Sequence, residues 1–322
     1  MATKQTTALV LLSGGLDSIL AAKLLQEQGI KIIGINFYSE FFGNKRAIAA
    51  AEQLRIPFTS IKLGQDYIEM LKKPKFGRGS GMNCCIDCKI FMLKKAKELM
   101  SKFNADFIAT GEVLNERPMS QYRGAMMTIE KEAGLSRKIL RPLSAKELDP
   151  TIAEEKGLVD RSKLLDIQGR QRNIQLSLAK KYNLSFPSPG GGCLLCEKEV
   201  SKKLADMFKH EEYSEDDLKL IKIGRHFRFN GTKIIVGRNH EENKMLMELK
   251  GIKFIPAKEV PGPTTLIKKG GQAEIRKAAE LTAFYSDKNA PMDVEYGNKL
   301  ENLNNTIFVA IPTKDEVEKL RI

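Results

Sequence analysis

ALVLLSGGLDS, residues 8–18, carries a continuous apolar stretch into a glycine-rich turn, and ILAAKLLQEQG, residues 19–29, follows with apolar side chains at helical spacing. A short unbroken apolar run is the pattern of a parallel strand buried on both faces. A strand that passes through SGG into a helix leaves backbone N–H groups unpaired at the positive end of the helix dipole, and such a turn is an anion site. Gly14 and Gly15 allow the backbone to approach phosphate closely. The plain alternative is a tight turn with Ser or Asp capping the helix. The full hexapeptide SGGLDS directly after the first strand favours phosphate. It is neither the GxxxxGK[ST] loop, whose lysine reaches the β and γ phosphates, nor the GxGxxG of dinucleotide folds.

The order continues as strand and helix by turns: KIIGINFY (31–38), a helix from about Asn44 to Leu54, a strand near FTSIKL (58–63) and another at DFIATG (106–111). This predicts an α/β fold with a parallel sheet flanked by helices, and ligands in such sheets bind beyond the carboxyl ends of the strands. SGGLDS and Gly111-Glu112 therefore fall on one rim. The 322 residues exceed the usual size of one core, so two domains are expected. The 53 Lys and Arg outnumber the 40 Asp and Glu, a formal charge of +13 that attracts polyanions and makes nucleic acid a partner class to consider. The N-terminus lacks an apolar secretory segment, and no apolar run approaches a membrane span, so we expect a cytoplasmic protein with no membrane partner.

Thiols stay reduced in that compartment, which gives the five cysteines a chemical reading. Three of them crowd into GMNCCIDCK (81–89), and CLLC (193–196) adds a second CxxC pair. Zinc ribbons hold their two pairs about 15–20 residues apart, and here more than a hundred residues intervene, which argues against a zinc staple. Cys85 and Cys88 flank Asp87 ahead of the basic helix KIFMLKKAKELM, a partly polar setting for thiol chemistry. The three histidines, His210, His226 and His240, have no metal-ligand spacing and read as surface or capping residues.

SGGLDS resembles the PP-loop of the N-type ATP pyrophosphatases, which cleave ATP between the α and β phosphates and adenylate a substrate oxygen. The resemblance implies a HUP-like fold, with Ser13, Gly14, Gly15 and Ser18 on the phosphates and Asp17 helping to place Mg²⁺. It also puts Asn36 and Phe37 beside adenine, with Gly111 at the site. The cysteines narrow the likeness to PP-loop tRNA thiouridine synthetases, which carry a CxxC in the ATP domain and a third cysteine well downstream. There the first motif looks like NPCIDC and the second like PAGGCLLTDP. This chain reads NCCIDC and PGGGCLLCEK, so Cys84 replaces Pro and Cys196 replaces Thr. The positions that match are Cys85, Cys88 and Cys193, implied as ligands of a [4Fe-4S] cluster with one open iron that presents sulfide, or as persulfide carrier and resolving thiol in the branch without a cluster. Cys84 is expected to be a bystander.

RPMSQ, ILRPLSAK and DIQGR also have near counterparts in that group, which makes Arg117, Gln121, Arg123, Arg141 and Arg170 candidate RNA contacts at the rim. From about Ile221 the texture changes to short strands with Asn230-Gly231 at a predicted hairpin turn. IIVGRNHEENKML, VPGPTTLI and KAAELTAFYS resemble the RNA-binding domain of NFACT proteins, which implies a smaller α+β domain. By that likeness Arg238, Asn239, Asn243, Lys268 and Lys269 lie on its binding face. We therefore expect a PP-loop domain at 1–165, a connecting segment at 166–220 carrying the third cysteine, and the RNA-binding-like domain at 221–322. The resemblances together imply an ATP-dependent tRNA uridine sulfurtransferase that takes sulfur from sulfide or a cysteine desulfurase. The rival expectations are an amidotransferase-like ligase without cysteine chemistry and a non-catalytic RNA-binding module with a zinc staple. A homodimer is left open, as are the choice of O2 or O4 and the tRNA position.

Overall fold

The computed structural model describes residues 5–188, 193–257, 259–298 and 303–322. The chain divides into two compact units, Met1–Glu197 and Lys198–Ile322. The first begins with β1 (Thr7–Leu11), α1 (Leu16–Gln26), β2 (Lys31–Tyr38), α2 (Lys45–Leu54), β3 (Phe58–Lys62) and α3 (Gln65–Lys72). It continues with α4 (Cys85–Phe103), β4 (Phe107–Thr110), α5 (Arg123–Ala133), β5 (Ile139–Leu140), α6 (Ile152–Glu155) and α7 (Asn173–Lys181). The five strands are parallel, in the order β3-β2-β1-β4-β5.

Strand β1 is central and covered on both faces, as its apolar run requires. On one side Ala8, Val10 and Leu12 pack with Ile19, Ala22 and Leu25 of α1 and with Ala50, Ala51 and Leu54 of α2. Leu16, Leu20 and Leu24 of the same helix α1 pack against Val113, Leu143, Ile167 and Ala179, so α1 is buried nearly all round. The strand order reverses between β1 and β4, and a doubly wound sheet opens a crevice at such a point. The segments that leave the carboxyl ends of these two strands are SGGLDS and Gly111-Glu112.

The second unit contains α8 (Lys198–Lys209), α9 (Glu215–Leu220), β6 (Arg225–Phe229), β7 (Thr232–Val236), α10 (His240–Glu248) and β8 (Ile252–Pro256). It ends with β9 (Thr265–Ile267), α11 (Gln272–Phe284), β10 (Met292–Gly297), β11 (Asn305–Val309) and α12 (Lys314–Leu320). Its strands form an antiparallel sheet in the order β11-β10-β8-β9-β7-β6. Asn230 and Gly231 both take positive φ, 45° and 78°, in the two-residue loop between β6 and β7, as the hairpin turn predicted there demands. Ala278, Ala279 and Leu281 of α11 pack on one face with Phe227, Ile234, Phe254 and Val294. Leu220, Ile235, Leu246 and Leu266 form a smaller core on the other face.

His226 departs from the surface position expected of it. It is buried in this unit with Nε2 at the carbonyls of Leu220 and Ile223, and burial holds its ring neutral, well below the usual histidine range. Among the described residues no helix is long and apolar enough to cross a membrane.

Candidate active site

Gly15 caps α1 with extended backbone and offers no side chain, so the first amides of the helix stay open at its positive end. The serines on either side shape the loop. Gly15 N–H donates to Ser13 Oγ (3.3 Å), Ser18 Oγ donates to the Gly15 carbonyl (2.8 Å), and the two hydroxyls meet at 3.2 Å. Gly14 sits at φ +76°, and a Cβ there would come within 2.2 Å of the Arg46 backbone at the start of α2. Across the crevice a Cβ on Gly111 would fall 2.4 Å from Ser18 N and 2.5 Å from the Asp17 carbonyl carbon. Glycine is therefore what allows β4 to lean on the loop. Asn36 Nδ2 donates to the Leu12 carbonyl (3.0 Å), which fixes the end of β1, and Phe37 is buried in β2.

Asp17 faces inward. Burial and then Glu116 push its carboxyl up, while Arg172 and the Gln175 amide pull it down. Arg172 pairs with both Asp17 (3.5 Å) and Glu116. Two carboxylates thus share one guanidinium. Among the described residues Asp17 Oδ1 and both amide atoms of Gln175, a residue with 0% exposure, lie buried without a partner of good hydrogen-bond geometry, although the Gln175 amide is near enough to act on the Asp17 carboxyl. Oxygen donors in a pocket short of positive charge suit a hard divalent cation.

The residue after Gly111 ties this rim to the cysteine helix. Glu112 accepts from the Lys89 ammonium on α4, from Arg141 Nε (3.0 Å) and from the Thr110 hydroxyl (3.0 Å), and Arg141 also pairs with Glu130 on α5. Burial alone would raise Glu112; its two cations and the hydroxyl hold it at about 2. The same network corrects one expectation. Arg141, anticipated as an RNA contact, is 3% exposed and its charge is taken up by these carboxylates.

Helix α4 starts at Cys85, so Cys85, Cys88 and Lys89 share its first turns. Asp87 accepts the N–H groups of Lys75 (2.8 Å) and Phe76 (3.1 Å) and pins the preceding loop. Asn83 Nδ2 donates to Cys85 Sγ (3.6 Å) and to the Met119 thioether (3.2 Å). Tyr67, fully buried, places its hydroxyl 3.2 Å from Cys88 Sγ. Cys84 is also fully buried, with its sulfur 3.7 Å from Cys88 Sγ and 3.7 Å from Met70 Sδ. The CLLC turn joins this group through its backbone: Leu194 N–H donates to the Phe41 carbonyl (3.0 Å), and the Leu195 carbonyl accepts from Met82 N–H (2.9 Å). The Pro189–Gly192 half of that motif lies outside the described residues.

So placed, the Cys193 thiol is pushed up to about 12, by burial first and then by the charges of Cys88, Cys196 and Cys85. Cys88 is raised well above the usual thiol range by its contact with Cys84 and by burial. Crowded thiols of this kind stay protonated unless a cation takes the negative charge, and soft donors with hydrogen bonds to sulfur suit an iron–sulfur group. Among the described residues no three His, Cys, Asp or Glu are arranged to hold one metal ion.

The other expected RNA contacts separate by exposure. Arg117 is exposed on the loop after Glu116, with Gln121 Oε1 accepting its N–H (3.1 Å), and Arg123 is exposed while donating to the Glu147 carbonyl. Arg170 is exposed, two residues short of Arg172, the arginine that reaches Asp17. In the second unit Arg238 pairs with Glu242 and Lys268 with Asp217, while Lys269 is exposed. Asn239 caps α10 and Asn243 accepts from Thr264 N–H (3.0 Å), so both amides serve the fold. The sequence reading missed Glu116, Arg172, Gln175, Lys89, Tyr67 and Asn83. The only local signal was the second arginine of GRQR.

Residues 3–158 match the family described as thiamine biosynthesis protein (ThiI), and residues 224–321 match the NFACT protein RNA binding domain. Each match falls on the part of the chain from which the corresponding resemblance was read. A probable tRNA sulfurtransferase of Alkaliphilus metalliredigens is 30% identical over 142 residues, 43% of this chain and 36% of that protein. Another from Thermococcus kodakarensis is 30% identical over 195 residues, 56% of this chain and 45% of that one. The chain spans less than half the length of these relatives. A solved structure, of a 4-thiouridine synthetase–RNA complex with bound ATP, is similar at TM-score 0.40 and 18% identity, over 66% of this chain and 53% of that one.

Proposed function

We propose that this chain is an ATP-dependent tRNA uridine sulfurtransferase. The observation that carries the reading is the joining of a phosphate-type loop to a group of thiols within one unit, through Gly111-Glu112-Lys89, with Lys89 directly after Cys88 on α4. The loop amides and the Ser13 and Ser18 hydroxyls hold the phosphates of ATP. A uridine carbonyl oxygen attacks the α phosphate and pyrophosphate leaves. This turns a poor leaving group into a good one, and a sulfur nucleophile at the thiols then displaces AMP. A uridine within a stem has to be unstacked to reach the crevice.

Mg²⁺ would be held by Asp17 and would supply positive charge to the phosphates. Cys85, Cys88 and Cys193 would hold a [4Fe-4S] cluster, which when bound supplies an iron site for sulfide; in the branch without a cluster they remain free thiols for persulfide exchange. Asn83 and Tyr67 orient the sulfurs of Cys85 and Cys88 in either case. Exposed arginines at the rim and basic residues of the second unit, with a net charge of +13, suit the tRNA backbone.

The test is anaerobic reconstitution with iron and sulfide, then incubation with unmodified tRNA, ATP and a sulfur source, with mass spectrometry of the digested nucleosides. Thiolated uridine is expected. The Cys85→Ser, Cys88→Ser and Cys193→Ser variants should each lose roughly 100-fold or more of it, with ATP affinity retained. Full activity in those variants, or no thiolated uridine under any sulfur supply, would overturn the reading.

Gln175 gives a second check. Gln175→Leu removes a buried amide whose near neighbour is the Asp17 carboxyl, so the protein alone should gain at most about 1–3 kcal/mol against urea. Its affinity for Mg²⁺·ATP should fall in the same variant. A loss of stability would mean that the amide serves the fold instead.

A further inference from the structure

We infer that Cys196 is the entry port for sulfur, taking it from persulfide donors (R–S–S–H) at the surface and handing it inward to Cys193. The inference rests on the proposed sulfurtransferase reading and adds where sulfur enters and in what chemical form. Four of the five thiols are buried or half-buried, and Cys196 alone is exposed. It is nevertheless a member of the group. The turn Cys193–Cys196 closes with Cys196 N–H donating to the Cys193 carbonyl (3.2 Å), so an outer and an inner thiol occupy the two ends of one helical turn.

That turn is held from both sides by the Phe41 and Met82 backbone bonds, and Leu195 between the two thiols is fully buried, so the pair cannot drift from the site. Burial and then the Cys85 charge push the Cys196 thiol up, and the exposed Arg117 offsets part of that rise, a fitting neighbour for an anionic persulfide. The other sulfurs are less exposed than Cys196, so a bulky donor meets Cys196 first.

The chemistry balances without an oxidant or reductant. The Cys196 thiolate attacks the outer sulfur of R–S–S–H, the S–S bond breaks, and R–S⁻ leaves with the electron pair, giving Cys196–S–S–H. In the chain without a cluster, Cys193–SH then takes the same outer sulfur, and its proton passes to the departing Cys196 sulfur. The products are Cys193–S–S–H and Cys196–SH, ready for another donor.

The experiment uses the full chain and its Cys196→Ser and Cys84→Ser variants, fed either glutathione persulfide or inorganic sulfide. Brief exposure to glutathione persulfide, alkylation and peptide mass spectrometry should find one added sulfur on Cys196 first and on Cys193 later. In Cys196→Ser the ratio of persulfide-fed to sulfide-fed thiouridine should fall about tenfold or more, while Cys84→Ser keeps the wild-type ratio. Labelling of Cys193 in Cys196→Ser at the wild-type rate would overturn the port. Absence of thiouridine from either source in every protein would overturn the sulfurtransferase reading, and the labelling order would still decide whether Cys196 accepts the sulfur.

Discussion

Glu112→Gln is expected to lower the free energy of unfolding by about 3–5 kcal/mol, the usual cost of breaking a buried ion pair from one side. Glu112 is 8% exposed and is the carboxylate to which Lys89, Arg141 and Thr110 all turn. Without its charge, Arg141 keeps only Glu130, and the Lys89 ammonium loses its carboxylate beside Cys88. The effect should depend on pH in a stated direction. The carboxyl is held at about 2 in the folded chain against an ordinary value of 4.5, so it stabilises fully above about pH 4.5 and loses that contribution as pH falls toward 2. A shift of that size is worth about 3 kcal/mol. Urea unfolding of wild type and Glu112→Gln from pH 7 downward should therefore show a gap that is constant near neutrality and closes in acid. A gap below about 1 kcal/mol at every pH would mean that the network contributes nothing net. Lys89 follows Cys88 directly, so the same variant should also slow the proposed sulfur transfer more than it weakens ATP binding.

How much of this was legible beforehand follows from whether a feature is local in the chain. The SGGLDS loop, the strand before it and the helix after it lie within one stretch, and the turn's chemistry is set by residues that touch one another in sequence. The hairpin at Asn230-Gly231 was legible for the same reason, since both residues must take positive φ there. Cys193 was matched by motif, but the hold on its turn comes from backbone bonds of Leu194 and Leu195 to Phe41 and Met82. No periodicity encodes those bonds. Arg141 was misread because the carboxylates that claim it, Glu112 and Glu130, stand 29 and 11 residues away in the chain. Arg170 drew attention that belonged to Arg172, since only the start of α7 decides which of two neighbouring arginines turns to Asp17. In each case a charged side chain reads as surface until its partner from another element is known.

The phosphate loop can be tested against its own backbone by comparing two glycines. Gly14 and Gly29 both sit at φ +76°, one inside SGGLDS and the other at the turn after α1. Among the described residues a Cβ on Gly29 would meet nothing within 4 Å, while one on Gly14 would lie 2.2 Å from the carbonyl carbon of Arg46. Gly29→Ala therefore measures the cost of the left-handed conformation alone, about 1–2 kcal/mol. Gly14→Ala adds overlap with a backbone that α2 holds in place, so it should cost a further 1–3 kcal/mol or more, roughly the range for forced overpacking. The strain can be relieved only by moving the loop away from α2, and that reorients the amides of Gly15 and Leu16. ATP affinity should then drop about 100-fold, or close to 3 kcal/mol, in Gly14→Ala and stay near wild type in Gly29→Ala. Equal stability losses in the two variants would show that the loop yields without cost, and an unchanged ATP affinity in Gly14→Ala would remove SGGLDS from the nucleotide site. The comparison works because both variants share the same backbone penalty, which leaves the contact between the loop and α2 as the only difference between them.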